Sequence, residues 1–421
     1  MIQSMELFPG ITLRCCPDQR FKQGCLSIQL VRPMAREEAG LNALLPALLL
    51  RGCEGSPDIR AITLRLDDLY GASVSTLVRR IGDYQTTGLY ARFIDDRFAM
   101  GGDRILEPMA AFLAELLRRP VLEDGCFRRD YLASEKKNLV SVIDSQRNDK
   151  RSYAVSQLLK YMCREDSFGV PRLGDREQVE RIGGADAFAH YRRILRESPV
   201  EIFYVGAAPA EQVAALMRPV FQDIAREYRA LPPQQRFRGG APGDYVEQME
   251  LAQGKLCMGF TTPVTGRDPE FAAMWLLDTV FGAGMTSKLF MNVREKLSLC
   301  YDISSAYYGS KGIMTVFAGI DQDMRARTQE VILSLLDACR AGDFSRQELE
   351  AAKAAVLSGL RAVYDSPGAI ENYFSTTAIA GLFNTPEKQM EAVRAVTVDR
   401  LAAAAETLTP HTTYFLKGVD A

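Results

Sequence analysis

Histidine is nearly absent from this chain of 421 residues, which has only His190 and His411. Neither has a partner at metal-ligand spacing, so an autonomous zinc site is not expected and both read as surface or hydrogen-bonded residues. Cysteine offers no substitute. The nine cysteines, at 15, 16, 25, 53, 126, 163, 257, 300 and 339, are odd in number, scattered and without C-x-x-C spacing. That pattern argues against a disulfide framework or zinc knuckle and for small core residues. Cys15 and Cys16 are neighbours, and in an extended segment they point to opposite faces, where they cannot easily share one metal.

Long apolar runs are missing as well. The longest, near Leu44 to Leu50, falls well short of the roughly 20 residues that span a bilayer. The opening "MIQSMELFPGITLRCC" has no basic start, apolar run or small-residue cleavage site of the kind secretion requires. A cytoplasmic protein without a membrane partner is expected. Charge of one sign is lacking too: the formal net charge is -2, which gives no general attraction for nucleic acid. What remains, 47% hydrophobic and 25% charged residues, is the makeup of an ordinary globular protein long enough for two or three domains.

The apolar patterning places strands at "ITLRCC" and "GCLSIQLVR", joined by a turn, and then a helix at "GLNALLPALLLRG". Ser56, Pro57 and Asp58 suit the start of a second helix that Gly71 closes. "ASVSTLVRRI" and "YQTTGLYARFI" read as paired strands around Gly82 and Asp83. Helices follow at "RILEPMAAFLAELLRRP", across a long region from about Gly125 to Cys163, and at "ADAFAHYRRILRE", before a strand at "VEIFYVGA". "LPPQQRFRGGAPGDY", rich in Pro, Gly and Gln, reads as an exposed linker over 231–245.

Beyond it the order of elements repeats: strands at "YVEQMEL" and "KLCMGFTTP", helices at "DPEFAAMWLLDTVFG" and "TSKLFMNVREKL", strands at "YDISSAYYG" and "IMTVFAGID", then helices and the closing strand "TTYFLKG". Two duplicated domains, 1–230 and 246–421, are expected, each α+β with an antiparallel sheet packed by helices. "FGAGMTSK" lacks the full spacing of a phosphate loop and follows a helix rather than a strand, so nucleotide binding is not expected. Its Gly282 and Gly284 are expected to end one helix and start the next. "LRRP" and "SEKKN" read as solvated helix faces, with a polyanion site as the alternative.

Three stretches, "GLNALLPALLLRG" with "SPDI" after it, "LYGASVSTLVRRIGDYQTTGLYARF" and "GMTSKLFMNVREKLSLCYDISSAYY", resemble the corresponding segments of the pitrilysin/insulinase family of inverted zincins. The resemblance covers nearly the whole chain, including the two-half layout. Active members carry H-x-x-E-H on the first of these helices, where two histidines on one face hold zinc and the glutamate polarises the bound water. The matching positions here are Ala43, Pro46 and Ala47, none of which can do this. The family's third ligand, a glutamate, falls on Val142 or Ile143 depending on alignment. The helix then reads as a former metal helix kept for Leu41, Leu44, Leu45 and Leu48, and Pro46, crowding the carbonyl of Asn42, predicts a kink or an early start in it.

The resemblance also implies a constellation that is present. Family members place an arginine and a tyrosine from the later half at the scissile bond, and "REKLSLCY" supplies Arg294 and Tyr301 at those positions. A phenol or guanidinium beside a developing oxyanion stabilises the transition state. In two-subunit members zinc and this pair come from different chains. The expectation is a non-catalytic subunit with no cofactor of its own, partnered by a sibling that carries H-x-x-E-H and zinc, acting on peptides. The alternatives are a structural or peptide-binding scaffold without proteolysis, and a homodimeric peptide-binding chaperone.

Overall fold

The computed structural model describes residues 2–382 and 384–419, which gather into two compact units. The first takes the chain up to Asp144, then Pro171–Pro233 and Val363–Gly381; the second takes Ser145–Val170, Gln234–Ala362 and the chain from Leu382. Neither is a continuous stretch. The ranges 1–230 and 246–421 miss two exchanged segments, because the linker's composition marks where chain is exposed and not which sheet a distant helix covers.

In the first unit, strands β1 (Gln3–Phe8), β2 (Ile11–Pro17) and β3 (Gln23–Pro33) lead into helices α1 (Arg36–Leu49) and α2 (Ile59–Asp68). The Asp58 side chain accepts from the Ala61 N–H at 2.8 Å and so caps α2. The hairpin β4 (Ser73–Ile81) and β5 (Tyr84–Ile94) turns at Gly82, whose φ of 60° is the left-handed conformation that a two-residue connection requires. Helix α3 (Leu106–Arg118), the short pair β6 (Leu122–Glu123) and β7 (Cys126–Phe127), and α4 (Arg129–Ser145) follow. Within the long helical region expected from about Gly125 to Cys163, α4 ends at Ser145 and α5 (Lys150–Met162) restarts on an Asp149 cap. Helices α6 (Arg176–Arg181) and α7 (Gly184–Glu197), strand β8 (Val200–Gly206) and helix α8 (Ala210–Phe221) complete this stretch.

The first sheet runs β1-β2-β8-β3-β5-β4. β8 lies between β2 and β3, so those two strands are not a hairpin. Helices α1, α3, α7 and α8 bury their apolar faces in one core with it, including Leu44, Leu45, Leu48, Phe112 and Ile194. Each such side chain, fully buried, contributes about 1.5–3 kcal/mol of transfer free energy.

The second unit repeats this plan. Strands β9 (Gly243–Met249) and β10 (Gly254–Thr261), helix α9 (Phe271–Asp278), strands β11 (Cys300–Tyr308) and β12 (Ile313–Ile320), helices α10 (Arg325–Arg340), α11 (Arg346–Ala362), α12 (Pro367–Ile379), α13 (Pro386–Arg394) and α14 (Val398–Glu406), and strand β13 (Thr409–Gly418) close the chain, with α12 belonging to the first unit. The sheet order β9-β13-β10-β12-β11 matches β2-β8-β3-β5-β4 strand for strand. Both sheets are antiparallel except for one parallel pair each, β2 with β8 and β9 with β13. Helix α5 packs on β10 and β13 while α12 packs on β3 and β8, which are equivalent strands. α9 therefore stands where α1 stands, and the edge strand β11 where the edge strand β4 stands. No described helix is long and apolar enough to cross a membrane.

Candidate functional site

Helix α1 carries Ala43, Pro46 and Ala47 one turn apart, with Ala43 and Pro46 buried. It runs unbroken from Arg36 through Pro46 to Leu49, starting a turn earlier than the sequence pattern and showing no interruption at the proline. Proline at 46 has no N–H for the Asn42 carbonyl. The Thr87 hydroxyl of β5 replaces it, donating to Asn42 O at 2.6 Å in a buried setting.

The Asn42 side chain anchors a longer polar chain. Arg193 donates to His190 Nδ1 at 2.9 Å, and His190 Nε2 lies 2.7 Å from Asn42 Oδ1. Because a guanidinium only donates, His190 is the Nε2–H tautomer and donates to Asn42. Asn42 Nδ2 donates to Gln85 Oε1 at 2.8 Å, and Gln85 Nε2 donates to the carbonyls of Ala39 (3.1 Å) and Arg172 (2.7 Å). Every member is satisfied in one direction, which fixes α1 against β5 and α7. Burial pushes the His190 pKa down to about 4, so the ring is neutral near pH 7. His190 is thus a buried structural histidine. The sequence reasoning overlooked this network; its one signal was the polar run Gln85, Thr86, Thr87 inside a strand that is buried throughout that stretch.

Val142 lies on α4 with half of its surface exposed, and Ile143 beside it is partly buried. His411 belongs to the second unit, with Nε2 3.0 Å from the Gly240 carbonyl and Nδ1 2.7 Å from the Thr412 hydroxyl. Among the described residues no group of three or more His, Cys, Asp or Glu side chains could hold a metal ion. At the α1 positions methyl groups and a pyrrolidine ring have no lone pair to offer a cation, so zinc does not fit there.

Arg294 and Tyr301 belong to the second unit. The segment before β11 is wound as π-helix at Thr279–Ala283 and at Phe290–Lys296, so the two regular helices expected there are each partly under-wound. Gly282 lies inside the first π turn rather than ending a helix; a Cβ there would come 2.6 Å from Ser305 Oγ and 2.7 Å from Leu289 Cδ1, so the turn lies close against β11. Gly284 caps that turn. The second turn ends at Ser298, whose φ of 51° is a left-handed conformation usually left to glycine. Its N–H bonds the Arg294 carbonyl at 3.1 Å, and the Leu299 N–H bonds the Val293 carbonyl at 2.9 Å.

This tight cap delivers Tyr301 to a bulge: Cys300 pairs with Ile320 and Asp302 with Gly319, leaving Tyr301 as the extra residue. A bulge re-aims a side chain, and Tyr301 is 57% exposed. Its hydroxyl has no hydrogen-bond partner among the described residues. The Arg294 guanidinium lies 4.7 Å from the Phe290 ring centre and 3.7 Å from Glu295, half-exposed and loosely paired.

The strand behind the tyrosine is held firmly. Asp278 at the end of α9 accepts from Ser305 Oγ at 2.5 Å and from the Tyr307 N–H at 3.2 Å, and burial raises its pKa to about 6. Arg151 of α5 reaches Asp302 (3.2 Å) and Ser304 (2.7 Å) of β11 beside a cavity of about 310 Å³. As an edge strand, β11 leaves one side of its backbone unpaired.

Residues 182–356 match the Peptidase M16 inactive domain, and the chain contains no H-x-x-E-H. It is similar to the "probable inactive metalloprotease YmfF" of Bacillus subtilis, 27% identical over 411 residues that cover 98% of this chain and 96% of that one. Among solved structures, a conserved protein from Enterococcus faecalis V583 matches with a TM-score of 0.91 at 26% identity, covering 99% of both chains. A peptidase M16 inactive domain from Pseudomonas fluorescens shares the fold with a TM-score of 0.82 at 17% identity, covering 100% of this chain and 99% of that one. The matched family and the YmfF similarity both support a non-catalytic chain.

Proposed function

We propose that this chain is the non-catalytic subunit of a heterodimeric, cytoplasmic, insulinase-type zinc metallopeptidase that processes peptides, and that it completes the active-site chamber of a sibling subunit carrying H-x-x-E-H. One contrast carries the reading. Ala43, Pro46, Ala47 and Val142 hold no ligand atoms, while Tyr301 is presented on a bulge with its hydroxyl unengaged.

Zinc and the water it activates belong to the sibling. This chain's part is to bind and stabilise. The Tyr301 phenol donates a hydrogen bond to the carbonyl oxygen as it gains negative charge, and the Arg294 guanidinium adds positive potential beside it. The open edge of a sheet, as at β11, suits an extended peptide, whose backbone pairs there as an added strand.

The test is reconstitution. The chain alone is expected to bind no stoichiometric zinc and to cleave nothing, and the mixture with its sibling to hydrolyse peptides faster than the sibling alone. In that mixture Tyr301→Phe leaves assembly intact and slows turnover by roughly 10², the effect of losing an oxyanion donor. An unchanged rate removes Tyr301 from the mechanism.

A further inference from the structure

The first unit also contains a recess with a volume of about 1110 Å³. Six arginines line it: Arg118 and Arg119 at the end of α3, Arg192, Arg193 and Arg196 on α7, and Arg226 beyond α8. Three carboxylates, Glu54, Asp223 and Glu227, face them.

Some of these cations are already neutralised. Arg119 lies 3.5 Å from Glu54, Arg193 3.0 Å from Glu38, and Arg196 within ion-pair reach of Glu197 and Glu227. The other three are not. Arg118 reaches only the Pro219 carbonyl, at 3.3 Å, and Arg192 has no polar partner among the described residues. Arg226 donates to the carbonyls of Leu195 and Ser198 and has a buried Nε with no hydrogen-bond partner among the described residues. Arg118 and Arg226 are partly buried and Arg192 is exposed; a partly buried guanidinium without a counter-charge is costly to hold in place, and burial pulls the Arg226 pKa below the usual arginine value. An arriving carboxylate relieves that cost through short, charge-assisted hydrogen bonds.

The walls between the arginines are apolar, formed by Phe188, Leu195 and Ile224 among others. The recess is also larger than the roughly 300–1,000 Å³ typical of small-molecule sites. An isolated phosphate would leave those walls wet and the three free cations only partly engaged.

We infer that this groove is a docking site for an acidic peptide segment, with carboxylates on Arg118, Arg192 and Arg226 and apolar side chains against Phe188, Leu195 and Ile224. Its lining residues belong to the first unit, and Arg294 and Tyr301 to the second.

Fluorescence anisotropy of the full chain with a labelled peptide of alternating Glu and Leu tests this, with the same peptide carrying Gln for Glu as its control. The Glu peptide is expected to bind with an affinity that falls as salt rises, and the Gln peptide not to. Arg192→Gln, which removes no hydrogen bond or ion pair among the described residues, should weaken binding about tenfold, as the loss of one charge-assisted hydrogen bond predicts, with an unchanged circular dichroism spectrum. Arg118→Gln should add to that loss. Equal binding of both peptides, unaltered affinity in both variants, or stronger binding of inorganic triphosphate than of the Glu peptide would overturn the inference.

Discussion

The bond between Thr87 and Asn42 makes a claim that can be measured: a side-chain hydroxyl stands in for the helix bond that Pro46 deletes. Thr87→Val removes that hydroxyl and leaves a buried carbonyl without its donor, which costs about 1–3 kcal/mol. In a chain that also carries Pro46→Ala, the new amide at 46 lies one helical turn from the Asn42 carbonyl and can take over. There the same Thr87→Val change should cost less than about 1 kcal/mol, giving a coupling of about 1–2 kcal/mol between two residues on different elements. Hydrogen exchange of the amides in Arg36–Leu49, read by mass spectrometry, reports this locally without assuming that the two units unfold together. With about 1.4 kcal/mol per tenfold, Thr87→Val is expected to speed exchange by roughly 10- to 100-fold beside Pro46 and by less than about fivefold beside alanine. Equal acceleration in both backgrounds would refute the substitution of one donor for the other.

His190 in the first unit and Asp278 in the second should contribute to stability with opposite dependence on acid. His190 titrates near 4 when folded and near 6.5 when unfolded, so the unfolded first unit binds more protons between those values. Its stability should hold above about pH 6.5 and fall by up to about 3 kcal/mol toward pH 4, a drop that His190→Gln should reduce. Asp278 titrates near 6 when folded and near 3.9 when unfolded, so its contribution is full below about pH 3.9 and is lost as pH rises through 6. Hydrogen exchange in β11 should therefore slow as pH falls from 7 to 4, after correction for intrinsic rates, and Asp278→Asn should flatten the trend. Gly282→Ala forces a methyl group against Ser305 and Leu289, which should cost about 1–3 kcal/mol, visible as a lowered thermal midpoint of the second unit.

Much of the fold was legible because period and punctuation agree. Gly82 with Asp83, the Asp58 cap and the alternation in "VEIFYVGA" each fix an element locally, and the matching of that strand with "TTYFLKG" foretold the repeated sheet order, in which β8 and β13 hold equivalent places. Pairing partners were not legible, since the burial of β2 and β3 says nothing of β8 entering between them. The same holds for α5 and α12: an apolar face shows that a helix is covered, not by which strands. The loss of ligands at Ala43, Pro46 and Ala47 could be read from residue type alone. The lock around Asn42 could not, because Asn42, Gln85 and His190 are far apart in sequence and none is unusual for its own element. Nor could the bulge at Tyr301, which arises from a one-residue slip against β12.

The central claim is that this chain lacks a metal centre and lends its groups to one held elsewhere. The most direct measurement determines the zinc content and peptide hydrolysis of the purified chain, of a sibling subunit bearing H-x-x-E-H, and of the two together. The account predicts no stoichiometric zinc and no cleavage for the chain alone, and hydrolysis in the mixture that exceeds the sibling's own and depends on Tyr301. Chelator-sensitive hydrolysis by the chain alone would contradict it.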